Sequence, residues 1–219
     1  MSRVDLIKNK IKFRYNLALR KAYLTLNKKR LQGKKPFIIS NNCWGGIVYQ
    51  DLGLPYLSPF VNMYIFASCY LKILKNLNYY LQQPLTFTNV SKYDAANMKR
   101  SKRSYPIGQL DDVEIHFIHY TDEAYTLKKW NERVKRFNVD NLLVVMSERD
   151  GCTPGLIKEF DSLDYQNKVC FTKADYGLGS TVYFRSFKKL KEIPGADEIA
   201  GYTYWKLPLS NFLSGHTKS

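Results

Sequence analysis

Leu142-Leu143-Val144-Val145-Met146 is apolar at every position, and this run constrains the fold more than any other stretch of the chain. A strand with one face in water alternates apolar with polar, so an unbroken apolar strand has to be covered on both faces, as a central parallel strand is. Parallel neighbours need crossovers of a dozen or more residues, usually helical. The surrounding text supplies both. Phe37-Ile38-Ile39, Val169-Cys170-Phe171 and Val182-Tyr183-Phe184 read as further strands, and Thr153-Pro154 reads as the cap and first position of a crossover helix. The expected fold is therefore α/β: a three-layer, open, mostly parallel sheet with helices on both faces, built as a single domain over residues 36–219.

A basic N-terminal segment, residues 1–35, precedes it. It holds 12 basic side chains and one acid, Asp5, for a net +11, while the remaining 184 residues carry only +4. Basicity is thus local, and the body is close to neutral. Val4, Ile7, Ile11, Ala18 and Ala22 fall three, four or seven apart without Gly or Pro between them, so a basic amphipathic helix is predicted, stopped by Gly33 and Pro36. Such a helix suits an arm resting on its own domain, an anionic membrane surface or nucleic acid. As an arm it is expected to be dispensable, so that removing residues 1–32 leaves the body folded. No secretory signal is recognised at the N-terminus. Cys43, Cys69, Cys152 and Cys170 form no C-x-x-C pair, which points to reduced cytoplasmic thiols rather than a disulfide framework or structural zinc.

The uncharged run Leu52–Leu71 is broken by Pro55 and Pro59, and reads as a loop feeding a buried helix over 60–81. A weaker strand over 85–88 follows, then a polar helix or loop over 91–104. Its Lys99, Arg100, Lys102 and Arg103 read as a solvated face. Val113–Tyr120 alternates with period two, setting Val113, Ile115, Phe117 and His119 on one face and Glu114, His116, Ile118 and Tyr120 on the other. Thr121 is the predicted cap of the next helix, with Leu127, Trp130, Val134 and Phe137 inward.

In open α/β sheets ligands bind beyond the carboxyl ends of the strands. Three of these ends are polar here: Ser40 to Gly46, His119-Tyr120, and Ser147 to Cys152. Cys43 or Ser40 is the candidate nucleophile, Asn41 and Asn42 candidate oxyanion donors, and His119 the candidate general base. His116 is a second imidazole, and His216 lies in a polar tail. Asp150 or Glu148 could orient the base, and Arg149 offers a planar fork for carboxylate or phosphate. Gly45-Gly46 could cradle a phosphate, without G-x-G-x-x-G or Walker spacing. Each residue also has an ordinary role in turn geometry. The histidine spacing does not suit a metal, D-x-D is absent, and no cofactor is indicated.

The pieces Ile39–Gly46, Tyr49–Pro59 with Leu52-Gly53-Leu54-Pro55, Ser91-Lys92-Tyr93, Tyr105-Pro106-Ile107-Gly108, Val113–Tyr120, Trp130-Asn131 and Ser147–Cys152 carry a resemblance. Over residues 36–190 the chain resembles a bacterial family labelled exopolysaccharide biosynthesis proteins and otherwise described as a domain of unknown function. The resemblance implies an α/β fold and a place in capsule or exopolysaccharide assembly; it assigns no catalytic residues. The expectation it leads to is a transferase acting on a carbohydrate or lipid-linked glycan. The leading chemistry is acyl (acetyl) transfer to a sugar hydroxyl through Cys43 or Ser40, His119 and Asp150. A glycosyltransferase using a nucleotide-sugar and a noncatalytic assembly protein are the alternatives. Because surface glycans are built on lipid carriers, residues 1–32 are expected to meet an anionic membrane at its cytoplasmic face, and nucleic acid becomes the poorer partner.

Overall fold

The computed structural model describes residues 3–31, 35–139, 141–207 and 209. Helix α1 (Arg3–Leu31), strand β1 (Phe37–Ser40) and helix α2 (Trp44–Leu52) open the chain. A long excursion follows through α3 (Ala67–Lys75), α4 (Leu77–Gln82), β2 (Thr86–Thr88), α5 (Asp94–Arg100), β3 (Ile107–Leu110), β4 (Val113–His116) and α6 (Glu123–Val134). The chain then returns in β5 (Leu142–Ser147), α7 (Pro154–Ser162), β6 (Lys168–Thr172), β7 (Thr181–Tyr183) and α8 (Ala196–Lys206).

Strand β5 lies inside a four-stranded sheet of order β1-β5-β6-β7 in which every pair is parallel. Its residues feed two cores in alternation. Val144 and Met146 join Ile39, Leu71, Trp130 and Phe160, whereas Leu143 and Val145 join Ile38, Trp44, Val48 and Tyr204. This is the double coverage that a run apolar at every position demands. The fold is mixed α/β: helices flank the parallel sheet, and β2, β3 and β4 form a separate antiparallel one.

That second sheet corrects the expectation for Val113–Tyr120. Only Val113–His116 is strand, and it pairs antiparallel with β3 across a turn in which Asp111 takes a positive φ of 53°. Its carboxyl end therefore does not belong to the parallel sheet. The helix expected over 60–81 starts only at Ala67, because Tyr64 makes an antiparallel bridge to His116 and Asn62 sits at φ 59°. Helix α2 lies where a polar turn was expected. Gly45 lets it rest against β1, since a Cβ there would meet Ile38 Cγ2 at 2.9 Å. Asp122, not Thr121, caps α6 by accepting from Tyr125 N at 2.7 Å. Thr153 caps α7 as expected, with Pro154 following.

Helix α1 docks on the body through Asn16 and the residues after it. Asn16 donates to Asp197 O at 2.8 Å and accepts from Gly201 N at 2.7 Å, and Trp205 Nε1 donates to Leu19 O. Arg20 pairs with Asp51, while Tyr23 and Leu31 are buried among α2 and α8. The expected apolar stripe does not dock: Ile7, Ile11, Ala18 and Ala22 are all exposed. Gly33 and His216 lie outside the described residues, as does the side chain of Val4. Among the described residues no helix is long and apolar enough to cross a membrane.

Candidate active site

A cavity of about 590 Å³ opens beyond the carboxyl ends of β1 and β5. The turn into α2 contributes Asn42 and Cys43, the turn after β5 contributes Arg149 and Asp150, and the turn after β4 contributes His119. Lys99 at the end of α5 and Arg103 just after it reach in from one side, and the α8 N-terminus closes the other with Asp197. Tyr64 and Tyr105, joined by a hydroxyl–hydroxyl hydrogen bond of 2.8 Å, form part of the wall.

Cys43, His119 and Asp150 thus share one cavity, yet no hydrogen bond links them into a relay. The Cys43 thiol donates to Met63 O at 3.6 Å. Burial, against the pull of nearby Arg149, pushes its pKa up to about 12, so it stays protonated near neutral pH. Asp150 accepts from Arg149 Nε at 2.8 Å and Lys99 Nζ at 3.2 Å, so it orients two cations rather than an imidazole. Its backbone takes a positive φ of 50°, which Asp tolerates better than most residues. Among the described residues the His119 ring has no hydrogen-bond partner. Partial desolvation of the ring at the cavity, then Arg103, lowers its pKa below the usual histidine value, leaving a neutral imidazole able to accept a proton.

The remaining sequence candidates are occupied structurally. Ser40 is fully buried outside the cavity lining, and its hydroxyl donates to Asn42 Oδ1 at 3.2 Å. Asn41 spends its carboxamide on Ser147, donating to its carbonyl at 3.1 Å and accepting from its N–H at 2.9 Å. Asn42 lines the cavity but holds Ser147 Oγ and the Trp44 N–H. Gly45 and Gly46 serve close packing of α2, the latter beneath Asn62. Glu148 accepts from Lys173 N and Tyr176 OH, each at 2.8 Å, and is not part of the cavity.

Lys99, Arg103 and Arg149 share the cavity with Asp150 and Asp197, and Arg149 also meets Glu192 at 3.7 Å. Arg103 has no ion pair among the described residues. For Arg149, burial works to lower the pKa, but Asp150 and Glu192 outweigh it and hold the guanidinium firmly charged. Sequence reasoning missed Lys99, Arg103 and Asp197. The first two were visible as a basic cluster, of which Arg100 is committed to the Tyr105 and Asn89 carbonyls.

His116 lies beneath this wall, fully buried and stacked on Tyr64 with centroids 4.5 Å apart. Neither ring nitrogen has a hydrogen-bond partner, since Glu114 stands 3.7 Å away with its oxygens held by Ser91 and Lys92. Burial pulls its pKa down to about 3, which outweighs the attraction of Asp150. The unfolded chain takes up this proton near pH 6.5 and the folded chain does not. Stability is therefore full above pH 6.5 and falls by about 1.4 kcal/mol per unit as the pH drops toward 3. His116→Phe should flatten that slope in urea titrations between pH 6 and 4; an unaltered slope would assign the acid sensitivity elsewhere.

Two comparisons bear on this arrangement. The family model described as "Domain of unknown function (DUF1919)" matches residues 14–212. An "Uncharacterized protein" of Haemophilus influenzae is similar, 38% identical over 175 residues that make up 80% of each chain. The matched span begins inside α1 and runs past α8, wider than the 36–190 stretch that carries the resemblance in the sequence.

Proposed function

We propose that this chain, which belongs to the DUF1919 family, is a transferase that moves a sugar from a nucleoside-diphosphate donor to an acceptor hydroxyl in surface-polysaccharide assembly. The observation that carries this reading is the neutral His119 imidazole in one cavity with Lys99, Arg103 and Arg149. In the step proposed, the acceptor hydroxyl gives its proton to His119 and its oxygen bonds to the anomeric carbon. The bond from that carbon to the diphosphate breaks, and the electron pair leaves on phosphate oxygen, where the three cations offset the charge. Asp150 holds Arg149 and Lys99 side by side for that purpose. The polysaccharide setting, and a lipid-linked glycan as acceptor, rest on the sequence resemblance.

The sharing of one cavity by Cys43, His119 and Asp150 favours a second reading, acyl transfer through Cys43. It asks more of the site, because a thiol held protonated and a carboxylate already paired would both have to change partners.

Thermal denaturation with added ligands separates the two. At saturating uridine diphosphate the melting temperature should rise by about 5 °C or more, in the wild type and in Cys43→Ala alike, and much less in Arg103→Ala. A response to acetyl-coenzyme A alone, lost in Cys43→Ala, would replace glycosyl transfer with acyl transfer.

A further inference from the structure

We infer that α1 is a membrane-surface element whose outward face lies on an anionic lipid bilayer. Ile7, Ile11, Tyr15, Ala18, Ala22 and Leu26 follow one another at intervals of four, four, three, four and four residues, which keeps them on one face of a helix. All six are exposed, and Leu26 is 72% accessible. Asn16 and Tyr23, which dock α1 onto α8, fall on the other side of the same helix. Monomeric proteins seldom leave such a continuous apolar stripe uncovered without a partner for it.

Charge identifies the partner. Lys8 and Lys12 border the stripe on one side, Arg14 and Lys21 on the other, and no acidic residue occurs between Leu6 and Gln50. None of these four cations has an ion pair among the described residues. An apolar strip between two basic margins fits acyl chains flanked by anionic headgroups. A second copy of the chain would set like charges against one another, and nucleic acid would leave the isoleucines and leucine in water.

The placement also matters. Asn16 is fastened to Asp197 and Gly201, so the residues before it run on past the α8 N-terminus, where Asp197 lines the cavity. About ten such residues reach about 15 Å. The inference stands on the helix face alone and needs no chemistry in the cavity.

Flotation of the full chain with vesicles tests it. Binding is expected to phosphatidylcholine vesicles containing about one third phosphatidylglycerol, weakly to phosphatidylcholine alone, and less as salt is raised from about 0.1 M to about 0.5 M. The pair Ile11→Glu and Leu26→Glu, both on exposed positions, should keep the melting temperature and lower binding at least about tenfold. Lys8→Gln and Lys12→Gln should each lower it about fivefold. No binding by the wild type, or binding that survives the glutamate pair, overturns the inference. So does concentration-dependent dimerisation removed by that pair, or a preference for duplex nucleic acid over vesicles.

Discussion

Gly201→Ala is expected to cost about 3 kcal/mol or more and to pry α1 from the body of the protein. An added Cβ would lie 2.8 Å from Asn16 Oδ1 and 2.9 Å from Arg20 N, with the Asn16 carbonyl closer still. Two of these atoms are helix backbone, which cannot swing aside as the tip of a long side chain can. Relief requires moving α1, and moving α1 breaks the two Asn16 hydrogen bonds and the Arg20–Asp51 pair together. Loss of a buried polar network adds to the cost of overpacking. The measurement is urea denaturation beside Gly179→Ala, where an added Cβ meets nothing within 4 Å and stability should stay within about 0.5 kcal/mol. Truncation should follow the same boundary: a chain starting near Arg14 folds, and one starting after Leu31 does not. Cooperative unfolding of Gly201→Ala at the wild-type urea midpoint would show that the α1–α8 contact contributes little.

The second large effect concerns the chemistry. His119→Ala should lower kcat for transfer by about 10²–10⁴ while leaving KM for the donor nearly unchanged, because the imidazole handles the acceptor proton and the cations bind the donor. The residue is exposed and its ring has no hydrogen-bond partner among the described residues, so the melting temperature should not move. The pH profile supplies an independent sign. With the His119 pKa lowered by partial desolvation of its ring at the cavity and then by Arg103, the base remains unprotonated below the ordinary histidine midpoint. Rate should hold through neutral pH and fall only as the pH drops through that lowered value. The variant should lose this acid limb, and wild-type kcat in His119→Ala would end the proposed role.

The parallel sheet is legible in the letters because its strands are buried on both faces and so are apolar throughout. In the antiparallel sheet β2 and β4 are legible as well, and β3 is not. Ile107-Gly108-Gln109-Leu110 carries no strand signal, and Gly108 answers a tertiary demand, since a Cβ there would meet Leu85 Cδ1 at 2.6 Å and Phe117 Cε2 at 2.7 Å. Helix α8 hides for a related reason. Its Ile199, Ala200, Gly201, Thr203 and Tyr204 are all buried, because α1 covers one side and α2 with the sheet the other, which erases the amphipathic period. In the cavity, Cys43, His119, Arg149 and Asp150 could be read from chain ends and turns. Their partners could not, because Lys99 and Asp197 are brought there by elements outside the parallel sheet. Ser40 and Asn41 looked chemically available only because Ser147, which engages Asn41 and Asn42, stands more than a hundred positions away.

Strand β1 has β5 as its sole neighbour in the sheet, and Asn41 bonds to Ser147 across 106 residues. On the ribosome, the segment around Ile38 therefore waits with open edges until residues 142–147 emerge. Any product of premature termination before Leu142 therefore lacks the strand that pairs with β1. Quality control of this chain thus turns on its second half, although the first half supplies more of the helices.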